Sequence, residues 1–509
     1  MAGRRSQPAG DAGSSGDTDE VPGRVAFPRG TDGARSTSAL GRSVVAAALE
    51  AVDPTGAAAA ERETNWRSGY LRHVRRLTEA GLGDRVQAER IAADGLRAVH
   101  QQMVMTSREG DRSVAALRDA PAGRDIATHP IEGRGEPVTE LVVPHRGGQL
   151  VGDRLLHQLR VWIDDGIMEP SVLPAIEAVL GNPDWLRLEG RTVAVLGAGA
   201  EIGPLRSLLS WGATVAAIDL PRPGVWEQLV TTARARAGRL LVPIDARRDL
   251  ADDAEVVAHA GVDLVGEVPA AADWVAGLDG VPVIGTYAYA DGGAHVAVTV
   301  AADLLAQRVL GIRPDAAYAY LATPTDAFAV PREAVDHATR AYAERSATAK
   351  LVGRPLRTLS GGRLLKRNYA PGVAPGICDA LVAQQGPNYA LAKRIQRWRA
   401  TTARAAGTTV SLNVAPSTRT QSVVRNRVLA AAYAGAHRFG IEIFEPATTN
   451  ALMAALLVHD LHTAEGAPQA APWEQEAHNA VHGGLWRAPY APRSALGLAT
   501  VLGVGSTRT

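Results

Sequence analysis

The segment that most restricts the fold is RTVAVLGAGAEIGPLRSLLSWGATVAAIDLPRP, residues 191 to 223. An apolar run ends in a glycine turn, an amphipathic stretch follows, and a second apolar run closes on an acid. The order therefore reads strand, turn, helix, strand, which is the first half of a dinucleotide-binding unit. Gly197 permits the tight turn, Gly199 lets the backbone approach a pyrophosphate, and Gly203 lets the helix pack close to the sheet. Ile202 belongs to the same candidate cofactor-binding turn. The helix N-terminus is expected to offer amides and the positive end of its dipole to the phosphates. Asp219 lies 22 positions beyond Gly197, near the offset at which a carboxylate accepts from ribose hydroxyls.

The alternation continues downstream. RLLVPID predicts a third strand ending in Asp245, a further candidate cofactor-binding acid. VDLVGEV and VPVIGTY are apolar runs, HVAVTVAADLLAQRVLG is helical, and AAYAYLATPT is another strand. Repeated strand and helix implies an α/β fold: a doubly wound parallel sheet with helices on both faces, and ligands at the carboxyl ends of the strands. Upstream the pattern differs. Residues 1–40 are rich in Gly, Ser, Asp, Arg and Pro and read as a disordered tail. Residues 41–185 carry apolar positions at three- and four-residue spacing and read as a mostly helical N-terminal region, with a linker containing a strand or two near 125–150. The sheet domain is expected over 186–490, and 491–509 as a C-terminal tail.

With 509 residues the chain is too long for one ordinary core. Its net charge of +1 offers no basic field for nucleic acid or anionic lipid, so neither partner is expected. The single cysteine, Cys378, excludes an internal disulfide framework and a Cys-rich zinc site. The first 20 residues lack the apolar run of a signal peptide. A cytoplasmic protein is the expectation.

Lysine is rare here. Of 54 basic side chains only Lys350, Lys366 and Lys393 are lysines, and an ammonium differs from a guanidinium in having a pKa that neighbours can move. Lys393 stands four residues after Tyr389, so on a helix the two share a face, and a nearby cation favours the phenolate. That is a proton-transfer pair in outline. The alternative is a surface lysine beside a half-buried tyrosine.

NYALAKRIQRWRATTARAAGTTVSLNVAPSTRTQS resembles the short-chain dehydrogenase/reductase superfamily: a Tyr-x-x-x-Lys helix, a strand, and a Pro-x-x-x-Thr loop, here Pro416 and Thr420. EPATTNALMAALLVHDL is similar to the family's late helix and HGGLW to its terminal Gly-Gly segment. The resemblance runs from about 190 to 490 and implies a Rossmann fold. The family's spacing, counted from Gly197, puts the catalytic hydroxyl at Thr323. Tyr389 lies 66 positions beyond it, much further than in the family, which implies an insertion over about 327–385 at the mouth of the site.

Three features depart from the family pattern. Glu201 occupies a glycine position of the turn. Thr323 or Thr325 must replace the family's serine. The helix that normally offers an asparagine to a proton relay has none, and His295 lies near that position.

The resemblance implies hydride exchange with a substrate carbonyl or alcohol, with NAD as cofactor and NADP admitted by Arg222. Tyr389 would be the general acid or base. Lys393 would bind the nicotinamide ribose and lower the tyrosine pKa, and Thr323 or Thr325 would hydrogen-bond the reacting oxygen. The partner is a small-molecule substrate of middling size and apolar character, and the family implies a homo-oligomer. Two alternatives remain: a dinucleotide-binding sensor or scaffold without turnover, and an epimerase or dehydratase of the same fold. VHDLH, with His459, Asp460 and His462, closes an apolar helix and lacks a partner motif, so no metal is expected.

Overall fold

A computed structural model gives the structure of residues 21–248, 250, 252–463 and 470–504. The chain is a mixed α/β protein around a seven-stranded, mostly parallel sheet. Its strands are β1 (Ile126–Glu132), β2 (Arg191–Leu196), β3 (Thr214–Ile218), β4 (Arg239–Asp245), β5 (Val281–Thr286), β6 (Ala317–Ala322) and β7 (Val410–Val414). Across the sheet they lie in the order β7, β6, β5, β2, β3, β4, β1. Only β1 is antiparallel, pairing Ile126 with Asp245 and Glu132 with Arg239 along the outer edge of β4. The strand order turns back at β2. From there the chain runs outward through β3 and β4, then returns to β5 and proceeds the other way.

Before the sheet come α1 (Thr37–Leu49), α2 (Trp66–Ala80) and α3 (Arg85–Gln102). Within it lie α4 (Leu205–Trp211), α5 (Gly293–Ile312), α6 (Ala347–Leu359) and α7 (Gly386–Ala405). The end of the chain holds α8 (Gln421–Arg425), α9 (Arg427–Ala436), α10 (Pro446–Thr463) and α11 (Pro492–Gly503).

Alternating strand residues sort into two cores because successive side chains point to opposite faces. Ala194, Leu196, Ala216, Ile218 and Ile284 join the core shared with α1, α2, α3, α5 and α7. Val193, Val195, Val215, Ala217 and Val283 join the one shared with α4 and α10. The strands are buried on both faces, which is why they read as continuous apolar runs. Helix α5 is the one described helix long and apolar enough to cross a membrane, but two-thirds of its apolar window is buried in this core.

The N-terminal helices do not stand apart. Helix α3 packs so closely on α7 that a Cβ at Gly95 would lie 2.5 Å from the Trp398 ring. His100 on α3 reaches Asp303 on α5 at 2.8 Å, and Asp303 also accepts from Arg399 on α7. The stretch 125–150, expected as a linker, supplies β1 to the sheet. Of the expected tail 1–40, residues 1–20 lie outside the described residues. Val25 and Ala26 pair with Met105 and Val104, and Phe27 is buried. Residues 491–503, expected as a tail, form α11.

The stretch 327–385 carries α6, a helix over Arg332–Ala343, and an antiparallel hairpin of Ala327–Val330 with Gly376–Asp379. The His482–Trp486 segment is a turn, with Val481 donating to the Val414 carbonyl. The seventh strand of the sheet is β1, at the opposite edge.

Candidate functional site

Gly386, with φ of 81°, lets the chain turn from Gln385 into α7, and Pro387 occupies the first helical turn, where a missing amide proton costs nothing. Tyr389 thus enters the first turn of α7 at the carboxyl end of the sheet and lines one cleft with Thr323, the residue that follows β6 by one position. The Thr323 and Thr325 hydroxyls are 2.9 Å apart, and Thr325 donates to Gln385 Oε1 at 2.9 Å. One turn further along α7, Lys393 Nζ donates to Gln396 Oε1 at 3.1 Å and to the Leu321 carbonyl at 3.4 Å. The structure therefore gathers Tyr389, Lys393, Thr323 and Thr325 at one strand end.

His295, on the first turn of α5, completes the group. Its ring meets that of Tyr389 edge-on at 5.4 Å and that of Tyr289 at 5.0 Å. Both His295 ring nitrogens, the Thr299 hydroxyl and Gln396 Nε2 are buried without a hydrogen-bond partner. The cleft beside Thr323, Thr325, Gln385, Tyr389 and Lys393 holds about 210 Å³ of empty space and is too narrow at every point for a water. Tyr70 of α2 forms part of its wall, and its hydroxyl donates to the Val382 carbonyl at 3.4 Å.

Tyr389 and Lys393 keep some accessible surface, yet their titrating ends are enclosed by protein. Burial pushes the Tyr389 phenol well above its ordinary value, only partly offset by the Thr323 hydroxyl. Lys393 is not among the groups that shift it, so the expected lowering by Lys393 is not what governs this arrangement. Burial lowers the Lys393 ammonium to about 8, against an opposing pull from Asp326. His295 is lowered to about 3 by burial and then by Lys393, so it is a neutral imidazole at pH 7. Asp326 is itself buried, accepting from Arg394 at 3.0 Å and Arg397 at 2.7 Å. Burial alone would raise its carboxyl, but the two arginines outweigh this and hold it below the usual range.

The glycine turn sits at the end of β2. Gly197 has φ of 84°, and a Cβ there would lie 2.4 Å from Ala288 Cα, so this close approach to the loop after β5 requires glycine. The Gly199 amide donates to Asp219 Oδ2 at 2.9 Å, which joins the turn to the end of β3. Ile202 packs against the core, and the Gly203 carbonyl accepts from Asn450 of α10.

The helix after the turn differs from the sequence expectation. Turns continue to Pro204, so α4 starts only at Leu205, beyond the glycines, and Pro204 has no amide proton to offer. Glu201 reaches across the cleft, its Oε2 accepting from the Gln421 amide at 2.8 Å. It thereby ties the glycine turn to the loop of Pro416 and Thr420. The Pro416 carbonyl accepts from Thr418, and Thr420 precedes α8 with its hydroxyl 3.0 Å from that of Ser422.

Asp245 stands apart from this cleft. It ends β4, two strands from β2, and its carboxylate is held by Arg247 at 2.7 and 3.0 Å on the exposed surface. Asp460 accepts from Ser411 and Asn413 and contacts His459, while His462 stacks on Trp185, so each residue of VHDLH has a packing role. Tyr70, Gln385, Gln396, Thr299 and Asn450 were not singled out from the sequence. No local pattern marks them, because each reaches the site through tertiary packing. A second hollow of about 310 Å³ opens beside the 381–385 segment, lined by Leu381, Val428, Leu429, Leu496 and Thr500 among others.

Comparison of the chain with protein-family models, with curated proteins and with solved structures finds no match.

Proposed function

We propose that the chain is an NAD(P)-dependent oxidoreductase of short-chain dehydrogenase type, exchanging hydride with the carbonyl or alcohol of a mid-sized apolar substrate. The observation that carries this reading is the placement of Tyr389 beside Thr323 at the end of β6, with Lys393 one turn along the same helix. The strand order also supports a doubly wound Rossmann sheet, with the glycine turn and Asp219 at the point where the order reverses.

The residues at that point fit a nicotinamide dinucleotide with one condition. Asp219 offers a carboxylate to ribose hydroxyls and disfavours a 2′-phosphate, which points to NAD. Glu201 places a second carboxylate beside the turn, so the Glu201–Gln421 contact must open before a pyrophosphate enters. The dinucleotide supplies the hydride chemistry when bound. Thr323 and Thr325 orient the reacting oxygen by hydrogen bonds, and Tyr389 Oη passes a proton to or from it. Lys393 provides a cation whose charge is adjustable near neutral pH. The hollow beside the 381–385 segment, where Leu381, Val428, Leu429 and Leu496 meet Gln384 and Arg493, suits a substrate with an apolar part and a polar group.

The Glu201–Gln421 bridge favours a second reading, a dinucleotide-responsive sensor without turnover. Thermal unfolding with NAD, NADH, NADP and NADPH in turn is the test. Saturation at about 100 times the dissociation constant adds about 2.7 kcal/mol to the folded state. A rise in midpoint with NAD or NADH supports the dinucleotide site, and no rise with any of the four removes both readings. Loss of turnover in Tyr389→Phe with the rise retained then separates enzyme from sensor.

A further inference from the structure

The net charge of +1 conceals a strong asymmetry. Between residues 345 and 441 there are sixteen basic side chains and one acid, Asp379, which leaves the rest of the chain at −14. The five basic residues of α7 lie inside, and three of them have buried carboxylate partners: Arg394 and Arg397 on Asp326, Arg397 also on Glu476, and Arg399 on Asp303. The other eleven flank it, seven over 345–367 and four over 419–438. Among the described residues none of these eleven pairs with a carboxylate, although arginines elsewhere in the chain do so repeatedly. Asp379 is itself taken by Arg493 at 2.8 Å.

The two groups share one side of the molecule. Leu356 of α6, Phe439 beyond α9, and Leu498 of α11 pack on one small core of Leu365, Tyr490 and Ala495. Helices α9 and α11 are in backbone contact, since a Cβ at Gly435 would lie 2.0 Å from the Ala499 carbonyl. On α6 the inward face is set by Gly353 and Leu356, so at 100° per residue Leu351 lies at the centre of the outward face. Leu351 and Leu359 are 75% and 86% exposed, and Lys350, Arg354 and Arg357 run along one flank. Val428 on α9 and Val501 and Leu502 on α11 add exposed aliphatic surface.

We infer that the face formed by α6, α9 and α11 adsorbs to an anionic lipid bilayer, with Leu351 and Leu359 entering the acyl boundary and the flanking cations on the headgroups. Cations without carboxylate partners beside protruding aliphatic side chains are the pattern of an interfacial helix. A single-stranded nucleic acid would use exposed rings for stacking. Here Tyr342, Phe439 and Tyr490 turn inward, and the exposed aromatic among the described large hydrophobics is Tyr289, at the cleft. A second copy of the chain docked through the same face would bring like charges together. The inference departs from the expectation of no membrane partner, which treated the charge as evenly spread, and it stands independently of the oxidoreductase reading.

The test is co-flotation of the full chain with vesicles of phosphatidylcholine alone, and of phosphatidylcholine and phosphatidylglycerol in equal parts. Binding is expected only with phosphatidylglycerol at low salt, and it should be lost at about 1 M salt, where the screening length is about 3 Å. Lys350→Gln/Arg354→Gln/Arg357→Gln should weaken partitioning roughly 100-fold. Leu351→Ser/Leu359→Ser should weaken it at least about tenfold with every cation in place. Absence of wild-type flotation with phosphatidylglycerol overturns the inference. So does a leucine variant that floats like wild type, since the face would then be a general polyanion site. All five positions lie on the surface of α6, and unchanged unfolding midpoints confirm that the variants fold. Val501→Ser/Leu502→Ser gives a second variant with the same expected loss.

Discussion

Lys393 is held in the fold at a cost to stability, and the size of that cost follows from its surroundings. Its ammonium titrates at about 8 in the folded chain against 10.5 in an exposed lysine, because burial disfavours the charge more than Asp326 favours it. Each pH unit of that gap corresponds to about 1.4 kcal/mol. The charged form therefore costs the fold about 3–4 kcal/mol at most, and the part of the side chain that remains accessible to solvent reduces this to about 1–3 kcal/mol.

Between pH 8 and 10.5 the unfolded chain binds more protons at this site than the folded one, so stability rises with pH across that window. Below about pH 8 the penalty is present in full, and above 10.5 it is gone. Lys393→Met keeps the length of the side chain and removes the charge, losing the bonds to Gln396 and Leu321. At pH 7 the variant should be more stable than wild type by about 1–3 kcal/mol, less about 1 kcal/mol for Gln396 left unpaired. The gain should fade as pH approaches 10.5. Denaturant unfolding of both proteins from pH 6 to 10.5 reads this directly. A variant less stable than wild type at pH 7, or a difference that does not change with pH, would refute the argument that Lys393 is a buried charge. A gain in stability with loss of turnover is the trade expected of a residue kept for function.

Asp326→Asn leaves Arg394 buried without a carboxylate and should cost about 3–5 kcal/mol by denaturant unfolding, while Asp326→Leu with Arg394→Met should recover most of it. Because Asp326 favours the Lys393 ammonium, Asp326→Asn should also move the Lys393 titration to lower pH, read by its side-chain NMR signal. Glu201→Gln removes the carboxylate beside the glycine turn and should lower the NADH dissociation constant about fivefold or more, an electrostatic gain of about 1 kcal/mol seen as a larger thermal shift. Tyr389→Phe should lower turnover by at least about 100-fold and change unfolding by only about 1 kcal/mol, the value of one hydroxyl's hydrogen bonding.

The sequence by itself determined the elements and their succession. Continuous apolar runs bounded by glycine and acid marked β2, β3, β4, β5 and β6, because a strand buried on both faces has no polar positions to interrupt it. The four-residue spacing of Tyr389 and Lys393 made a shared helical face legible, and the hydroxyls at the end of β6 could be counted to.

Tertiary structure decided the rest, in most cases through partners distant in sequence. Nothing local distinguishes β1 from a linker strand, since its pairing with β4 joins residues more than a hundred positions apart. The N-terminal helices read as a separate region, yet their apolar faces share one core with α5 and α7, which brings Tyr70 to the cleft wall. Whether Glu201 points inward could not be read from its position in a turn, because its partner amide is 220 residues away. Asp245 ends a strand as a cofactor acid should, but Arg247 two residues on holds its carboxylate. The cationic face escaped the composition altogether, because a net charge sums over the whole chain, and only folding separates the arginines that find buried carboxylates from those that do not.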